Sequence, residues 1–257
     1  MSAAALARED RTGERADIAL GALALALDRA GIAYAPDHRT LLVADLHLEK
    51  GSARARRGFM LPPWDTRETL ARLAALLDAY RPARVIALGD SFHDVGGPDR
   101  LGEAERADLA ALQAGRDWLW LTGNHDPALP AALGGEIAGD VVLDGVRLRH
   151  EPGGAALPEI AGHLHPVAKV RLRGRAVRAR CFAHDGARLV MPAFGAYAGG
   201  LNVCDAAFAP LFPTGFTAHV AGRERLYALA SAILCDDRGT PQAASAFASA
   251  RSRTKSA

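Results

Sequence analysis

Three short segments of this chain end an apolar run in side chains that can bind a metal ion. Leu41-Leu42-Val43-Ala44 leads into Asp45 and His47, Val85-Ile86-Ala87-Leu88 into Gly89 and Asp90, and Trp118-Leu119-Trp120-Leu121-Thr122 into Gly123-Asn124-His125-Asp126. Such runs read as buried strands, and polar groups delivered to a strand end are placed to do chemistry. Further on stand a lone His150 and the pair His163 and His165, flanked by Gly162 and Pro166. Together Asp45, His47, Asp90, Asn124, His150, His163 and His165 offer carboxylate, imidazole and amide oxygen but no thiolate. That set suits Mn²⁺, Fe or Zn²⁺ better than copper or an iron–sulfur cluster. Seven ligands exceed what one ion takes. Two divalent ions roughly 3.5–4 Å apart, sharing one carboxylate, would use them all, clamp a phosphate and lower the pKa of a shared water.

The spacing is consistent with that chemistry. Asp45 and His47 both reach one ion if the chain turns between them, and His163 and His165 repeat the i, i+2 arrangement from the other half. Gly89 and Gly123 stand directly before Asp90 and Asn124, where a residue without Cβ lets the backbone crowd the site. His150, after Val146-Arg147-Leu148-Arg149, also fits a partly buried strand-end histidine. His38, His184 and His219 lack any such context and read as surface or strand-end residues.

The elements that must position these groups alternate in the first half. Leu23, Leu25 and Leu27 alternate with alanines, which predicts one strand over 18–27, and Pro36-Asp37 marks a turn before a strand over 40–45. Asp65-Thr66-Arg67-Glu68 has a capping-box pattern, and Leu70, Leu73, Leu76 and Leu77 predict a helix to Tyr80, closed by Pro82. A strand over 84–89, a helix near 103–114 and a strand over 117–122 follow, an α/β alternation with crossovers. After Pro127 the texture becomes hairpin-like, with strands expected over 140–143, 146–150, 167–173, 176–183 and 187–191. We expect one domain over 17–235, a mobile N-terminus over 1–16 and a disordered tail over 236–257.

The ordered set Asp-x-His, Gly-Asp, Gly-Asn-His-Asp, a lone His and Gly-His-x-His resembles the signature of calcineurin-like metallophosphoesterases. The resemblance implies a four-layer αββα sandwich, an α/β (α+β) fold of two mixed sheets flanked by helices. It further implies Asp45, His47 and His165 on one ion, Asn124, His150 and His163 on the other, and Asp90 bridging. His125 would act as the catalytic acid or charge stabiliser, oriented by Asp126. Within that family, Asp45 to Ser52, the Arg-rich stretch to Pro63, Gly89 to Asp94 and Gly162 to Pro166 are similar to the ligase-associated DNA damage response phosphoesterases. That likeness implies a bacterial cytoplasmic, manganese-dependent phosphodiesterase or endonuclease of DNA repair, associated with a DNA ligase, a helicase and a nuclease. The implied reaction is in-line attack of a metal-activated hydroxide on phosphorus, with Fe²⁺, Zn²⁺ or Mg²⁺ as alternative ions.

Other residues have two readings each. His93 and Asp94 either hold the metal-binding side chains in orientation or shape the turn after the strand. Lys50, Arg54, Arg56 and Arg57 fit contacts to a nucleic-acid backbone as well as they fit a solvated face. Sequence leaves open a phosphomonoesterase or nucleotide pyrophosphatase acting on a small substrate, and a non-catalytic scaffold of the same fold that binds partner proteins.

Bulk properties exclude little but point one way. At 257 residues, 49% apolar, the chain can bury a large core, and a net charge of +2 does not by itself indicate a polyanionic partner. Cys181, Cys204 and Cys235 form no CxxC pair, which fits a reducing cytoplasm rather than a disulfide framework. Residues 18–27 resemble a signal h-region, but the preceding segment mixes acids with arginines, and no apolar run reaches the roughly 18 residues of a membrane span. A homo-oligomer built on the hairpin-rich half stays open.

Overall fold

In the three apolar runs, alternate side chains are buried on opposite faces. Leu42, Ile86 and Leu119 enter one core, while Leu41, Val43, Val85, Ala87, Trp118 and Trp120 enter another. A strand buried on both faces must lie inside a layered sandwich. The computed structural model describes residues 13–153, 158–172 and 174–238. Its first sheet runs in order β1 (Arg15–Leu20), β2 (Leu23–Asp28), β3 (Ile32–Ala35), β4 (Thr40–Val43), β5 (Arg84–Leu88), β6 (Asp117–Leu121) and β7 (Glu136–Ala138). Pairing is antiparallel from β1 to β4 and parallel from β4 to β7.

The second sheet contains β8 (Asp140–Leu143), β9 (Val146–Arg149), β10 (Glu159–Ala161), β11 (Pro166–Leu172), β12 (Arg175–His184), β13 (Arg188–Val190), β14 (Leu201–Asn202), β15 (Thr217–Ala221) and β16 (Leu226–Ala230). Its order is β14-β11-β12-β13-β10-β9-β8, with β15 also on β12 and β16 on β15. Both sheets are therefore mixed. Leu25, Leu42, Ile86 and Leu119 of the first meet Leu148, Ile160, Phe182 and Leu189 of the second. Each such leucine, fully removed from water, contributes roughly 1.5–3 kcal/mol.

Helices α1 (Lys50–Ala55), α2 (Asp65–Tyr80), α3 (Gly97–Arg100) and α4 (Glu103–Gln113) precede β7. Helix α2 turns Leu70, Leu73, Leu76 and Leu77 onto the outer face of the first sheet, and α4 adds Leu109. The outer face of the second sheet is covered by Phe208, Leu211, Phe212, Phe216 and Leu234, from coil and short 3₁₀ turns. The sandwich is thus the expected one, with a fourth layer that among the described residues is not α-helical.

Three local expectations change. The stretch read as one strand over 18–27 is a hairpin of β1 and β2, because Gly21 takes a φ of +57° and reverses the chain. The same β1 begins at Arg15, inside the segment expected to be mobile; residues 1–12 of that segment lie outside the described residues, as do 239–257 of the expected tail. The capping box does not form: Trp64 is the N-cap of α2 and makes no side-chain cap. Asp65 instead accepts a hydrogen bond from the Gly51 amide at 2.9 Å, tying α2 to α1.

Candidate metal centre

The ends of β4, β5 and β6 lie side by side because those strands are parallel neighbours. The chain leaves them in unusual conformations. Asp45, His47, Asp90, His163 and His165 all have positive φ, between 43° and 70°, an unfavourable region for residues with a Cβ. Backbone bonds hold these turns in place: His47 N–H donates to Asp90 O at 2.9 Å, and Gly162 N–H to His150 O at 3.0 Å. A Cβ on Gly89, itself at φ +79°, would come within 2.6 Å of the His150 ring, and one on Gly123 would collide with Asp90. Both glycines are required by close approach, as their positions suggested.

The seven candidate ligands converge in two groups. In one, His47 Nε2 lies 3.1 Å from His165 Nε2, and His165 Nε2 lies 3.3 Å from Asp45 Oδ1. In the other, Asn124 Oδ1 lies 2.9 Å from both His150 Nε2 and His163 Nδ1, which are 3.2 Å apart. Asp90 stands between them, with Oδ1 3.3 Å from His150 Nε2 and Oδ2 3.9 Å from His47 Nε2. Asp45 and Asp90 are 0% and 2% exposed, so their charges need partners inside the protein.

The electrostatics follow from that crowding. Burial raises the Asp90 carboxyl, but the hydrogen bond and charge of His150 and the amide of His125 outweigh it and hold the group at about 2. Burial lowers His150, yet its bond to Asp90 and the charges of Asp45 and Asp90 lift it to about 9. His47 is brought down to about 2 by burial and by His165. His150 Nδ1–H donates to the Leu88 carbonyl at 2.9 Å, which turns Nε2 into the cluster. Paired imidazole nitrogens at 3.1 and 3.2 Å can share one proton at most. Imidazole nitrogens and carboxylate oxygens therefore crowd common positions with few protons among them, the arrangement that a divalent cation neutralises. The residues fit divalent metal ions.

His125 is 38% exposed at its side chain and lies at the rim of this cluster, with Nε2 3.9 Å from Asp90 Oδ2. Its Nδ1–H donates to the His93 carbonyl at 2.7 Å. Asp126 does not orient it, contrary to expectation. Completely buried, Asp126 accepts from the amides of Asp90 (3.1 Å), Phe92 (3.0 Å) and Gly123 (2.9 Å), and so ties the β5 turn to the β6 turn. Burial raises its carboxyl to about 6 against the pull of those amides.

His93 joins the rim: its ring stacks on His125 at 5.2 Å, and it forms a close group with His47 and His125. Asp94 does not; it accepts from Gly96 N–H and pairs with Arg100 at 2.8 Å, so it shapes the turn and touches none of the candidate ligands. Lys50 is half-buried and acts electrostatically on His47 and His93, and Arg54 acts on His93. Arg56 and Arg57 lie on the exposed turn after α1. What sequence reasoning missed are the carbonyls of Leu88 and His93, which no side-chain pattern can reveal.

Among solved structures, the chain matches the Pseudomonas putida nuclease MPE at 30% identity, covering 84% of this chain and 100% of that one, with a TM-score of 0.67. It also matches YfcE, a phosphoesterase from E. coli, at 13% identity over 74% of this chain and 98% of that one, with a TM-score of 0.38. No family model and no curated protein matches. No helix among the described residues is long and apolar enough to cross a membrane.

Proposed function

This chain belongs to the metallophosphoesterase family and is a metal-dependent phosphoesterase, and from that premise we propose a dinuclear phosphodiesterase that cleaves nucleic acid with manganese. The observation that carries the dinuclear reading is the position of Asp90, whose two oxygens face separate imidazole groups. In this reading Asp45, His47 and His165 would hold one ion, Asn124, His150 and His163 the other, and Asp90 would serve both. When bound, the ions supply a water of lowered pKa and neutralise charge on the phosphate.

The chain's own groups do the rest. His125 presents Nε2 to the cluster because Nδ1–H is committed to the His93 carbonyl; protonated at Nε2, it donates to the departing oxygen. His93 stacks on that ring and limits its rotation. Lys50 and Arg54 set positive charge at the rim, where a second ester arm of a diester would lie. The identity to a nuclease and the basic rim support nucleic acid as the substrate, and the signature from Asp45 to Pro166 supports a place among PdeM-like enzymes of DNA repair.

The test is elemental analysis together with turnover of a bis-aryl and a mono-aryl phosphate under Mn²⁺, Mg²⁺, Zn²⁺ and Fe²⁺. Two ions per chain and faster diester cleavage with Mn²⁺ are expected. One ion per chain would end the dinuclear reading, and faster monoester cleavage would favour a monoesterase.

A further inference from the structure

The hairpin of β11 and β12 contains Lys169, Arg171, Arg175, Arg178 and Arg180 and no acidic residue. In a chain of net charge +2 this density is local. Register places Lys169 directly opposite Arg178, Val167 opposite Arg180 and Arg171 opposite Ala176, so Lys169, Arg171, Arg178 and Arg180 share one face. Like charges directly opposite destabilise a strand pair. Here they are bridged from outside the hairpin: the Asp237 carbonyl accepts from Lys169 Nζ at 2.6 Å, and its carboxylate lies 3.6 Å from Arg178 Nε. Arg171 is exposed and has no ion pair among the described residues.

The basic face also has a direction. Phe182, two residues beyond Arg180, turns into the core between the sheets, so the face continues from that core over the end of the sandwich. There Arg178 donates to Gly200 O at 2.6 Å and Arg180 to Ala193 O at 3.2 Å. The intervening loop is bonded to the candidate metal centre through Phe194 N–H to Ala44 O at 2.9 Å and Gly195 N–H to Asp45 O at 3.1 Å. Arg72, stacked over Phe194 at 4.5 Å, adds its charge beside Arg180. From His165 to Arg171 the strand advances about 20 Å at about 3.3 Å per residue, which is about six nucleotides at about 3.4 Å each.

We propose that Lys169, Arg171, Arg178 and Arg180 form a second anion-binding surface. It holds the phosphodiester backbone of a nucleic-acid strand along a path that reaches about six nucleotides from the metal centre at Arg171, and Asp237 occupies a phosphate position when no strand is bound. The inference rests on the nucleic-acid reading above.

Its test is binding rather than turnover: anisotropy of fluorescein-labelled DNA strands of 20 and 4 nucleotides, without metal, over a range of KCl. Arg171→Thr, which breaks no described contact, should weaken binding of the longer strand and reduce its salt slope by about 0.7, and Arg171→Thr/Arg178→Thr by about 1.4. The shorter strand, which covers fewer of these residues at once, should lose less. Asp237→Asn should tighten that binding, because it removes the competing charge. Wild-type affinity and slope in both arginine variants would overturn the proposal and leave the hairpin to solvent or a protein partner. So would a wild type that binds the longer strand no better than the shorter. A wild type that binds the long strand as described, yet hydrolyses no bis-aryl phosphate with any metal, would sink the phosphodiesterase reading while upholding the hairpin.

Discussion

His184 and His219 pack ring on ring across β12 and β15 with centroids 5.6 Å apart, much as His47 and His165 do at 4.9 Å. The surroundings separate the two pairs. His184 and His219 sit in regular antiparallel ladder, where His219 faces Phe182 and His184 faces Thr217. His47 and His165 sit past strand ends at positive φ. Neither ring nitrogen of His219 has a hydrogen-bond partner among the described residues, and burial together with His184 pushes its imidazole down to about 4. Burial and His165 bring His47 down as well, to about 2, but around His47 and His165 stand two buried carboxylates, and these lift the neighbouring His150 to about 9. Close histidines are thus not enough for a cation site. Buried carboxylates and a backbone held in costly conformations mark the one that is built for it.

The sharpest way to break that contrast is to remove the charge that joins the two halves of the centre. Asp90→Asn keeps the shape and the bond from His125 N–H but leaves the imidazole groups without their common anion. Breaking a buried charge contact costs about 3–5 kcal/mol, so turnover should fall about a thousandfold, and metal content should drop in the same preparation. A variant that retains two ions and most of its activity would show that Asp90 is not the link.

The first-sheet part of the centre was legible because Asp45, Asp90 and Asn124 each follow a run whose both faces are buried, a pattern that only an interior strand satisfies. The helices over Asp65–Tyr80 and Glu103–Gln113 were legible from leucine spacing. Much of the other half was not. β10 is a three-residue strand, Glu159-Ile160-Ala161, too short to show a period, yet it is wholly buried between β9 and β13 and sets up Gly162 and His163. The role of Asp126 was misread because adjacency to His125 suggested a contact, whereas the side chain turns inward to three backbone amides. Such a choice is set by which buried N–H groups lack partners, and that is a property of the folded chain.

His125 and Asp126 separate chemistry from scaffolding inside the same tetrapeptide. His125→Ala removes a rim side chain, so kcat should fall about 10²–10⁴-fold with metal content and Tm held. Asp126→Asn presents an amide nitrogen to three N–H donors, so at least one loses its acceptor. Stability should fall by about 1–3 kcal/mol, seen as a lower Tm in the metal-free protein. If Asp126→Asn instead lowered kcat as steeply as His125→Ala at unchanged Tm, Asp126 would belong to the chemistry after all.

The smallest effect concerns the pair without carboxylates. With its imidazole near 4 in the folded chain and near the ordinary 6.5 once unfolded, His219 takes up a proton on unfolding between those values. The unfolded state binds more protons there, so stability is intact above pH 6.5 and is lost as pH falls toward 4, by at most about 1.4 kcal/mol per pH unit for one group. His219→Phe keeps a ring beside Phe182 and His184 and removes that proton site. Its Tm should fall less than the wild-type Tm between pH 7 and 5. Identical Tm curves for the two proteins would mean that His219 can protonate without leaving its place in β15, and that a carboxylate is not what distinguishes the two histidine pairs.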